Sequence, residues 1–272
     1  MTPSTSLPFI TCGMYAFTDD LQRAWQMLFD HFIDLTKDQL SLDPGLLFET
    51  DELTLRNANL FLGHTCGYPL MKNLQDALIP VCLPIFDVPG SEGKNYSSVF
   101  ITSFDSNIKS LQDCHQRVVA VNGTDSNSGM NVLRHAIAPL SLGKPFFSSV
   151  IVSGSHKNSV LEVGEGRADI AAIDSVSFAL IADAWPELAA KVSVIGYSAR
   201  TCGLPLVMPK SRLENSDSKM ITAYLNQALQ KLPEELQQRL HLKKFSSVDL
   251  SEYQGILDIE QQAREAGYDE LA

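Results

Sequence analysis

A short polar loop between a predicted strand and a predicted helix holds the residues best suited to bind a ligand. The apolar run Val118–Val121 is followed by Ser126, Asn127, Ser128 and Gly129, and then by apolar residues at helical spacing. The first turn of a helix has unpaired backbone N–H groups and a positive dipole end, and both attract anions. The loop therefore predicts a binding site for a small oxyanion. The alternative is that these residues only cap the helix.

The same construction recurs at the next predicted strand. The segment Val150–Val152 leads into Ser155 and His156, and another helical pattern follows. The dipole at a helix start disfavours an imidazolium, so a neutral His156 that donates a hydrogen bond to an oxyanion fits this position. A surface histidine without a function is the alternative. Two neighbouring helix starts of this kind predict one pocket for one anion.

A search for catalytic patterns favours a protein that is not an enzyme. The sequence has no GxSxG motif, and its six histidines show no metal-binding spacing. Ser155 and His156 with Asp174 could in principle form a hydrolase triad, and Ser128 is the other candidate nucleophile, but adjacent Ser and His side chains rarely point at each other. A serine hydrolase is therefore the weakest alternative, and no cofactor or metal is predicted.

Composition and charge limit the classes of partner. The chain has 272 residues, with 44% hydrophobic and 19% charged residues, which is ordinary for a folded protein of one large domain or two lobes. A net charge of −11 argues against nucleic acid and anionic membranes as partners. The apolar stretch from Ile79 to Phe86 is too short to span a bilayer.

The N-terminal residues 1–15 have no basic region followed by a long apolar segment, which a secretion signal requires. As written, the sequence therefore predicts a cytoplasmic protein, or a periplasmic one if a leader was removed. The five cysteines are odd in number and form no CxxC motif, which argues against a disulfide framework. Cys12 and Cys66 could be neighbours, and two free thiols are the favoured interpretation.

Predicted strands and helices alternate along the chain, which indicates an α/β protein with mostly parallel sheets. Ligands of such proteins bind at the carboxyl ends of the strands, where the polar loops lie. The predicted strands are 8–12, 46–49, 59–62, 78–86, 98–102, 118–121, 148–152, 170–173, 192–195 and 204–208. The predicted helices include 19–32, 51–55, 108–115, 131–137, 158–165, 176–184 and 250–266.

Five segments, taken in order, resemble a known family. They are TCGYP from Thr65, YSSVFI from Tyr96, VNGTDSNSGMNVLRHAI from Val121, SGSHKNSVLEVGEGRADIAAIDSVSFAL from Ser153 and GLPLVMP from Gly203. Together they are similar to the phosphate-, phosphite- and phosphonate-binding solute receptors of ABC importers, in the type II periplasmic binding-protein superfamily. The resemblance covers roughly residues 8–210, and the segment Ser153–Asp174 is its most specific part.

This resemblance implies a fold of two α/β lobes with a ligand cleft between them. The segments Phe100–Asp105 and Ala199–Leu206 would then cross between the lobes. Lobe one would comprise residues 1–103 and 204–272, and lobe two residues 104–203. Both chain termini would belong to lobe one.

The resemblance also assigns the ligand-binding residues. The SxSG loop and the GSH helix start imply that Ser126, Asn127, Ser128 and His156, with Ser155 beside them, hold the oxyanion. Tyrosines of lobe one would close the other side of the site, and Tyr68 and Tyr96 match them best. The acidic residue after the AIA strand, Asp174, would line the pocket.

A carboxylate at this position would restrict the ligand. Asp174 repels an anion unless the ligand carries a proton or an amine, as phosphate, phosphite and aminoalkyl phosphonates do. Sulfate carries none at neutral pH and would leave an acceptor unpaired. The alternative is that Asp174 caps the helix that begins near Val176.

The leading hypothesis is thus a non-enzymatic receptor for phosphate, phosphite or a phosphonate, with an ABC transporter permease as its protein partner. A cytoplasmic sensory or regulatory domain of the same fold is the alternative. The sequence does not choose among the anions.

Overall fold

The structure is a computed structural model, and it describes residues 7–40, 43–213 and 218–271. The outermost residues of the predicted lobe one, 1–6 and 272, lie outside the described residues. The strands are β1 Phe9–Thr11, β2 Gly45–Leu47, β3 Leu60–His64, β4 Leu78–Phe86, β5 Ser91–Glu92, β6 Asn95–Tyr96, β7 Ser98–Ser103, β8 Val118–Val121, β9 Ser149–Val152, β10 Ile170–Asp174, β11 Val192–Tyr197, β12 Thr201–Cys202, β13 Leu206–Pro209 and β14 Leu242–Ser246.

The predicted alternation of helices and strands is present from β1 to β4 and from β8 to β11, whereas in the described part of the chain β4 to β7 and β11 to β13 follow one another without an α-helix between them. The helices are α1 Asp19–Leu40, α2 Glu52–Leu55, α3 Gly67–Pro69, α4 Val132–Ser141, α5 His156–Gly164, α6 Ser175–Ala184, α7 Pro186–Ala189, α8 Lys210–Leu213, α9 Ser218–Lys231, α10 Glu234–Leu240 and α11 Gln254–Glu265. Short π-helical turns span Leu70–Leu74 and Asn127–Asn131, and 3₁₀ turns span Leu111–Cys114 and Leu250–Tyr253. No helix among these residues is both long enough and apolar enough to cross a membrane.

The chain divides into two compact units. Unit one comprises the described residues up to Asp87 and the segment Gly203–Tyr253, and unit two comprises Val88–Cys202 and the described residues from Gln254 onward. The boundaries differ from the predicted ones at two places. Strand β7 lies inside the sheet of unit two, so the chain enters that unit at Val88, before the predicted crossing segment Phe100–Asp105.

The C-terminal segment is the second difference. The prediction assigned it to lobe one, whereas in the structure it belongs to unit two. The physical reason is apolar burial, because Ala263, Tyr268 and Leu271 are part of the hydrophobic core of unit two. There they join residues of the central strands such as Val119 and Ile170.

Unit one is built on a six-stranded sheet with the order β14-β4-β13-β3-β1-β2. Strand β1 is parallel to β2 and β3, whereas β13 is antiparallel to β3 and β4, and β14 is antiparallel to β4. Helix α1 forms because its apolar residues recur at helical spacing, and Trp25, Leu28, Phe29 and Phe32 are fully buried. The five cysteines, all within the described residues, form no disulfide, and the Sγ atom of Cys12 lies 3.7 Å from Nδ1 of the buried His64.

Unit two contains a five-stranded sheet with the order β11-β7-β10-β8-β9 and a small three-stranded sheet with the order β12-β6-β5. Strands β8, β9 and β10 are parallel, whereas β7 is antiparallel to β10 and β11. The prediction of mostly parallel sheets is therefore wrong, because five of the nine strand pairs that the described residues form in the two large sheets are antiparallel. Each unit is made from separate chain segments, and strands β7 and β13 run opposite to the parallel strands beside them.

Candidate oxyanion site

The carboxyl end of β8 leads into the polar loop predicted from the sequence, and Ser126 begins the helical turn. Its Oγ accepts a hydrogen bond from the backbone N–H of Gly129 at 3.0 Å, and its backbone carbonyl accepts one from Asn131 N at 3.0 Å. Ser126 is buried and has the extended backbone of a helix cap, with φ −83° and ψ 130°. Its hydroxyl is thus engaged as a cap, as the alternative interpretation of the loop predicts.

Gly129 is required by the packing of this loop. A Cβ atom at this position would lie 1.8 Å from Oδ1 of Asn122 and 2.9 Å from its Cγ. The Asn122 side chain therefore occupies the space that any other residue at position 129 would need. This close approach explains the glycine of the SxSG pattern.

The carboxamide of Asn127 is buried and makes three hydrogen bonds to other side chains. Its Nδ2 donates to Oη of Tyr96 at 3.2 Å and to Oγ1 of Thr201 at 2.9 Å, and its Oδ1 accepts from Nδ2 of Asn131 at 3.1 Å. These three bonds use both donors of the amide and one of its acceptor positions. The carboxamide of Asn127 therefore connects Asn131 with Tyr96 and Thr201.

Ser128 and His156, which the sequence placed on two separate loops, are in direct contact. The Ser128 Oγ and His156 Nε2 atoms are 2.8 Å apart, and Ser128 is 4% exposed. Because β8 and β9 are parallel neighbours, their carboxyl ends bring the two loops together. Burial lowers the pKa of His156 to about 4, so its imidazole is neutral at pH 7. Its Nδ1 is buried and has no hydrogen-bond partner within the described part of the chain.

Ser155 lies next to this contact and caps helix α5. Its Oγ accepts a hydrogen bond from the backbone N–H of Asn158 at 3.1 Å. The loop before it is held by Ser153, whose Oγ lies 2.7 Å from Oγ of Ser159 and donates to the carbonyl of Ser155 at 3.0 Å. These bonds fix the backbone at the start of α5, which is where His156 begins the helix.

Asp174 lies at the end of β10, and it caps helix α6. Its Oδ1 accepts from the backbone N–H of Ser177 at 2.8 Å, and the residue is only 1% exposed. Buried hydroxyls lie on both sides of it, because Ser98 pairs with Asp174 across the sheet and Ser175 follows it in the chain. The capping role is therefore present in the structure, and a role of Asp174 toward a ligand stays a prediction.

The two tyrosines assigned to lobe one lie in different units. Tyr68 is in helix α3 of unit one, is 8% exposed, and has Nζ of Lys72 at 5.8 Å from its ring centre. Tyr96 is in strand β6 of unit two, so its assignment to lobe one is wrong. The reason is that β6 pairs with β12, where Tyr96 faces Thr201, and that its hydroxyl accepts from Asn127. A ligand contact by Tyr68 stays a prediction.

Sequence reasoning missed Thr201 and Asn131. Asn131 lies four residues after Asn127, and this helical spacing of two amides was a usable signal. Thr201 is separated from Asn127 by 74 residues, and no local pattern marks it.

Comparisons with known proteins agree with the resemblance seen in the sequence. Residues 16–253 match the family model described as ABC transporter, phosphonate, periplasmic substrate-binding protein. A search of curated proteins gave no match. The resemblance to the phosphonate-binding receptors is therefore confirmed.

Solved structures share the fold. A binding protein component of an ABC phosphonate transporter from Pseudomonas aeruginosa has a TM-score of 0.73 at 18% identity, over 96% of this chain and 88% of that chain. The PhnD1 protein of Prochlorococcus marinus, solved with methylphosphonate, has a TM-score of 0.69 at 17% identity, over 94% and 98%. A Xanthomonas citri protein bound to ATP has a TM-score of 0.67 at 13% identity, over 96% and 97%.

These likenesses confirm the predicted fold class, an α/β protein of the periplasmic binding-protein type. The family match extends over most of the chain, and it includes both loops of the candidate site. This protein therefore belongs to the phosphonate family of periplasmic substrate-binding proteins of ABC transporters.

Proposed function

We propose that this protein is a non-enzymatic receptor that binds a small phosphorus oxyanion through the loops at the ends of β8 and β9. The observation that carries the proposal is the contact of Ser128 with His156, at 2.8 Å between Oγ and Nε2. It brings a hydroxyl and an imidazole together where helical segments begin after two parallel strands. Backbone N–H groups and helix dipoles at such positions favour an anion.

The protonation of His156 supports an anion as the ligand. A buried N–H without a partner is rarer in proteins than a buried acceptor without one, so the unpaired Nδ1 favours the tautomer with its proton on Nε2. In that tautomer Nε2–H donates to Oγ of Ser128, and the hydroxyl proton of Ser128 points to another acceptor. An oxyanion oxygen is such an acceptor, and hydrogen bonds to charged groups are the strong ones.

The same geometry argues against the serine hydrolase. A hydrolytic serine needs a histidine that accepts its proton, and a third group that orients that histidine. With a pKa of about 4, His156 is a weak base at neutral pH. The carboxylate of Asp174, proposed as the third member, is bonded to the N–H of Ser177 at the start of α6.

The family supplies the cellular context of the proposal. Its members are periplasmic substrate-binding proteins of ABC transporters, which favours transport over the cytoplasmic sensory alternative. On this basis the receptor acts in the periplasm and delivers its ligand to a transporter permease. The structural relative solved with methylphosphonate makes that compound a suitable first probe.

A titration by calorimetry tests this function. We expect at least one of methylphosphonate, phosphite, phosphate and 2-aminoethylphosphonate to bind, and sulfate to bind at least about tenfold more weakly, since it offers no proton to an acceptor. His156→Ala should weaken binding of the best anion by about tenfold or more, because it removes the donor to Ser128. Equal affinity for sulfate, or no binding of any of the anions, would contradict the proposal.

A further inference from the structure

A buried chain of polar side chains joins the C-terminal segment, Gln254–Leu271, to Asn127 in the first loop. It begins at Arg134 in helix α4, whose side chain is buried, with 6% of its surface exposed. One guanidinium nitrogen, Nη1, donates to the backbone carbonyl of Asp269 at 2.9 Å, and Nη2 donates to Oδ1 of Asn131 at 3.0 Å. Glu260 of α11 lies nearby, with Oε1 at 3.9 Å from Nη2.

Asn131 continues the chain toward the loop. Its Nδ2 donates to Oδ1 of Asn127 at 3.1 Å and to the backbone carbonyl of Ile256 at 3.1 Å. Both amide protons and one acceptor position of Asn131 are thus used, and the residue has no exposed surface. A flipped amide would place its oxygen against two acceptors and its NH₂ group against the Arg134 guanidinium. The orientation of Asn131 is therefore fixed by chemistry.

The chain of polar side chains ends at Tyr96 and Thr201, which are bonded to Asn127 of the first loop. The Oδ1 atom of Asn127 accepts from Asn131, so its Nδ2 atom faces the opposite way and donates to Oη of Tyr96 and Oγ1 of Thr201. The residue after Asn127 is Ser128, which contacts His156. A change at Asn131 thus reaches the loop through one shared amide, without any contact between Asn131 and Ser128 being needed.

We infer that Asn131 is a positioning residue, which uses Arg134 and the C-terminal segment as its anchor to hold Asn127 in the conformation that binds the anion. This inference rests on the proposed function. Nε of Arg134 lacks a hydrogen-bond partner among the described residues, whereas both its Nη atoms and three positions of the Asn131 amide are bonded. Removal of Asn131 from this buried network would leave its partners without bonds. The C-terminal segment accordingly supports binding through unit two, in addition to its apolar packing.

The test compares Asn131→Ala with a matched control, Ile259→Ala. Both changes remove buried contacts between the C-terminal segment and its surroundings, but Ile259 lies outside the polar chain. We expect Asn131→Ala to raise the Kd for methylphosphonate, or for the tightest anion of the screen, about tenfold, because Asn127 loses one of its three bonds. Ile259→Ala should lower the melting temperature and leave Kd within about twofold of the parent.

Hydrogen exchange of the ligand-free proteins provides a readout that does not depend on a ligand. In Asn131→Ala the amides of residues 126–131 should exchange about tenfold faster than in the parent, and in Ile259→Ala at the parental rate. Arg134→Lys, which keeps the charge but not the paired contacts, should be intermediate and serves if Asn131→Ala folds poorly. Parental exchange and parental Kd in Asn131→Ala would overturn the inference. If the parent binds no anion, the proposed function fails, and unchanged loop exchange would refute the positioning role separately.

Discussion

Ser126 and Ser128 are two residues apart in one loop, yet their hydroxyls have different hydrogen-bond partners. The Ser126 Oγ accepts from the backbone N–H of Gly129, whereas the Ser128 Oγ contacts the imidazole of His156. A serine that caps a turn contributes to the folded state whether or not a ligand is present. When a serine hydroxyl accepts a hydrogen bond from a neutral imidazole, its own proton can be donated to a third group. A ligand oxygen could be this third group.

This difference separates stability from affinity at the residue scale. We expect Ser126→Ala to lower the free energy of unfolding by about 1 kcal/mol, as loss of a cap does. Ser128→Ala should weaken binding of the best anion by about 1 to 3 kcal/mol and change the melting temperature of the ligand-free protein little. Urea denaturation and calorimetry on both variants check this. The interpretation fails if Ser128→Ala binds the anion as the parent does.

Gly129 gives a second prediction, with an internal control at Gly255. Gly129→Ala forces a Cβ into the space of the Asn122 side chain, so it should destabilise the protein by about 1 to 3 kcal/mol. At Gly255, in helix α11, an added Cβ meets no atom within 4 Å, and alanine should be neutral or stabilising by up to about 1 kcal/mol. Thermal denaturation measures both.

The partner of Gly129 can be removed to confirm the cause. In the double variant Asn122→Ala with Gly129→Ala the clash is absent, because Oδ1 and Cγ of Asn122 are gone. We expect the loss of stability in the double variant to be smaller than the sum of the losses in the two single variants, because both changes act on one contact. A loss equal to the sum of the two single changes would show that the clash is not the reason.

At the scale of elements, the sequence predicts the strands that are apolar and buried. Strands β4 and β8 begin and end where the sequence predicts, because each is an apolar run that ends before a polar residue, Asp87 after β4 and Asn122 after β8. Strands β5, β6, β12 and β14 were not predicted, and the segment of β14 was expected to be helical. Strands β5 and β6 form a hairpin of two residues each, whereas β14 pairs with β4, and β12 with β6, across a long stretch of the chain. Tyr96 opposite Thr201 is such a pair. The direction of a strand in its sheet also depends on pairing with distant segments, which explains why antiparallel strands were predicted to be parallel.

The contacts of the candidate site also divide into those that local sequence patterns predict and those that depend on distant segments. The contact between Ser128 and His156 follows from two motifs at the ends of neighbouring strands, so local patterns suffice to expect it. The bond of Asn127 with Thr201 and that of Asn131 with Ile256 connect residues far apart in the chain. Their partners depend on tertiary packing, including the C-terminal helix in unit two, which no local pattern specifies.

Asp174 gives a prediction at the start of helix α6. Asp174→Asn keeps an oxygen that can accept from the N–H of Ser177, so stability should stay close to that of the parent. Asp174→Ala removes the cap and should cost about 1 kcal/mol. If the carboxylate also excludes ligands without a proton, Asp174→Asn should reduce the preference for phosphate over sulfate by about tenfold. Parallel titrations with both anions decide whether the residue is a cap alone.

At the scale of the whole molecule, each unit contains one histidine whose pKa is lowered by desolvation. His64 lies in strand β3 of unit one and is fully buried, and His156 begins α5 in unit two. Burial lowers the pKa of each to about 4, from an ordinary value near 6.5. Desolvation is the largest cause of the lowered pKa of both histidines, and no carboxylate of the described residues contributes to either shift. The two units therefore respond to acid in the same direction.

The last prediction follows from this shared response. Between about pH 6.5 and pH 4 the unfolded chain binds protons at His64 and His156 that the folded protein does not bind. The free energy of unfolding should therefore be constant with respect to these groups above about pH 7. It should fall as the pH decreases through 6.5, by up to about 1.4 kcal/mol per pH unit for each histidine.

Replacement of one histidine tests its share of this dependence. In His156→Gln the dependence between pH 7.5 and pH 5 should be shallower by up to one proton, since glutamine does not titrate. Urea denaturation of the ligand-free protein at several pH values measures it, and the range above pH 5 avoids the carboxylates, whose lowered pKa values act at lower pH. Parallel curves for parent and variant over this range would show that His156 titrates in the folded protein as it does in the unfolded chain, which would contradict the lowering of its pKa by burial.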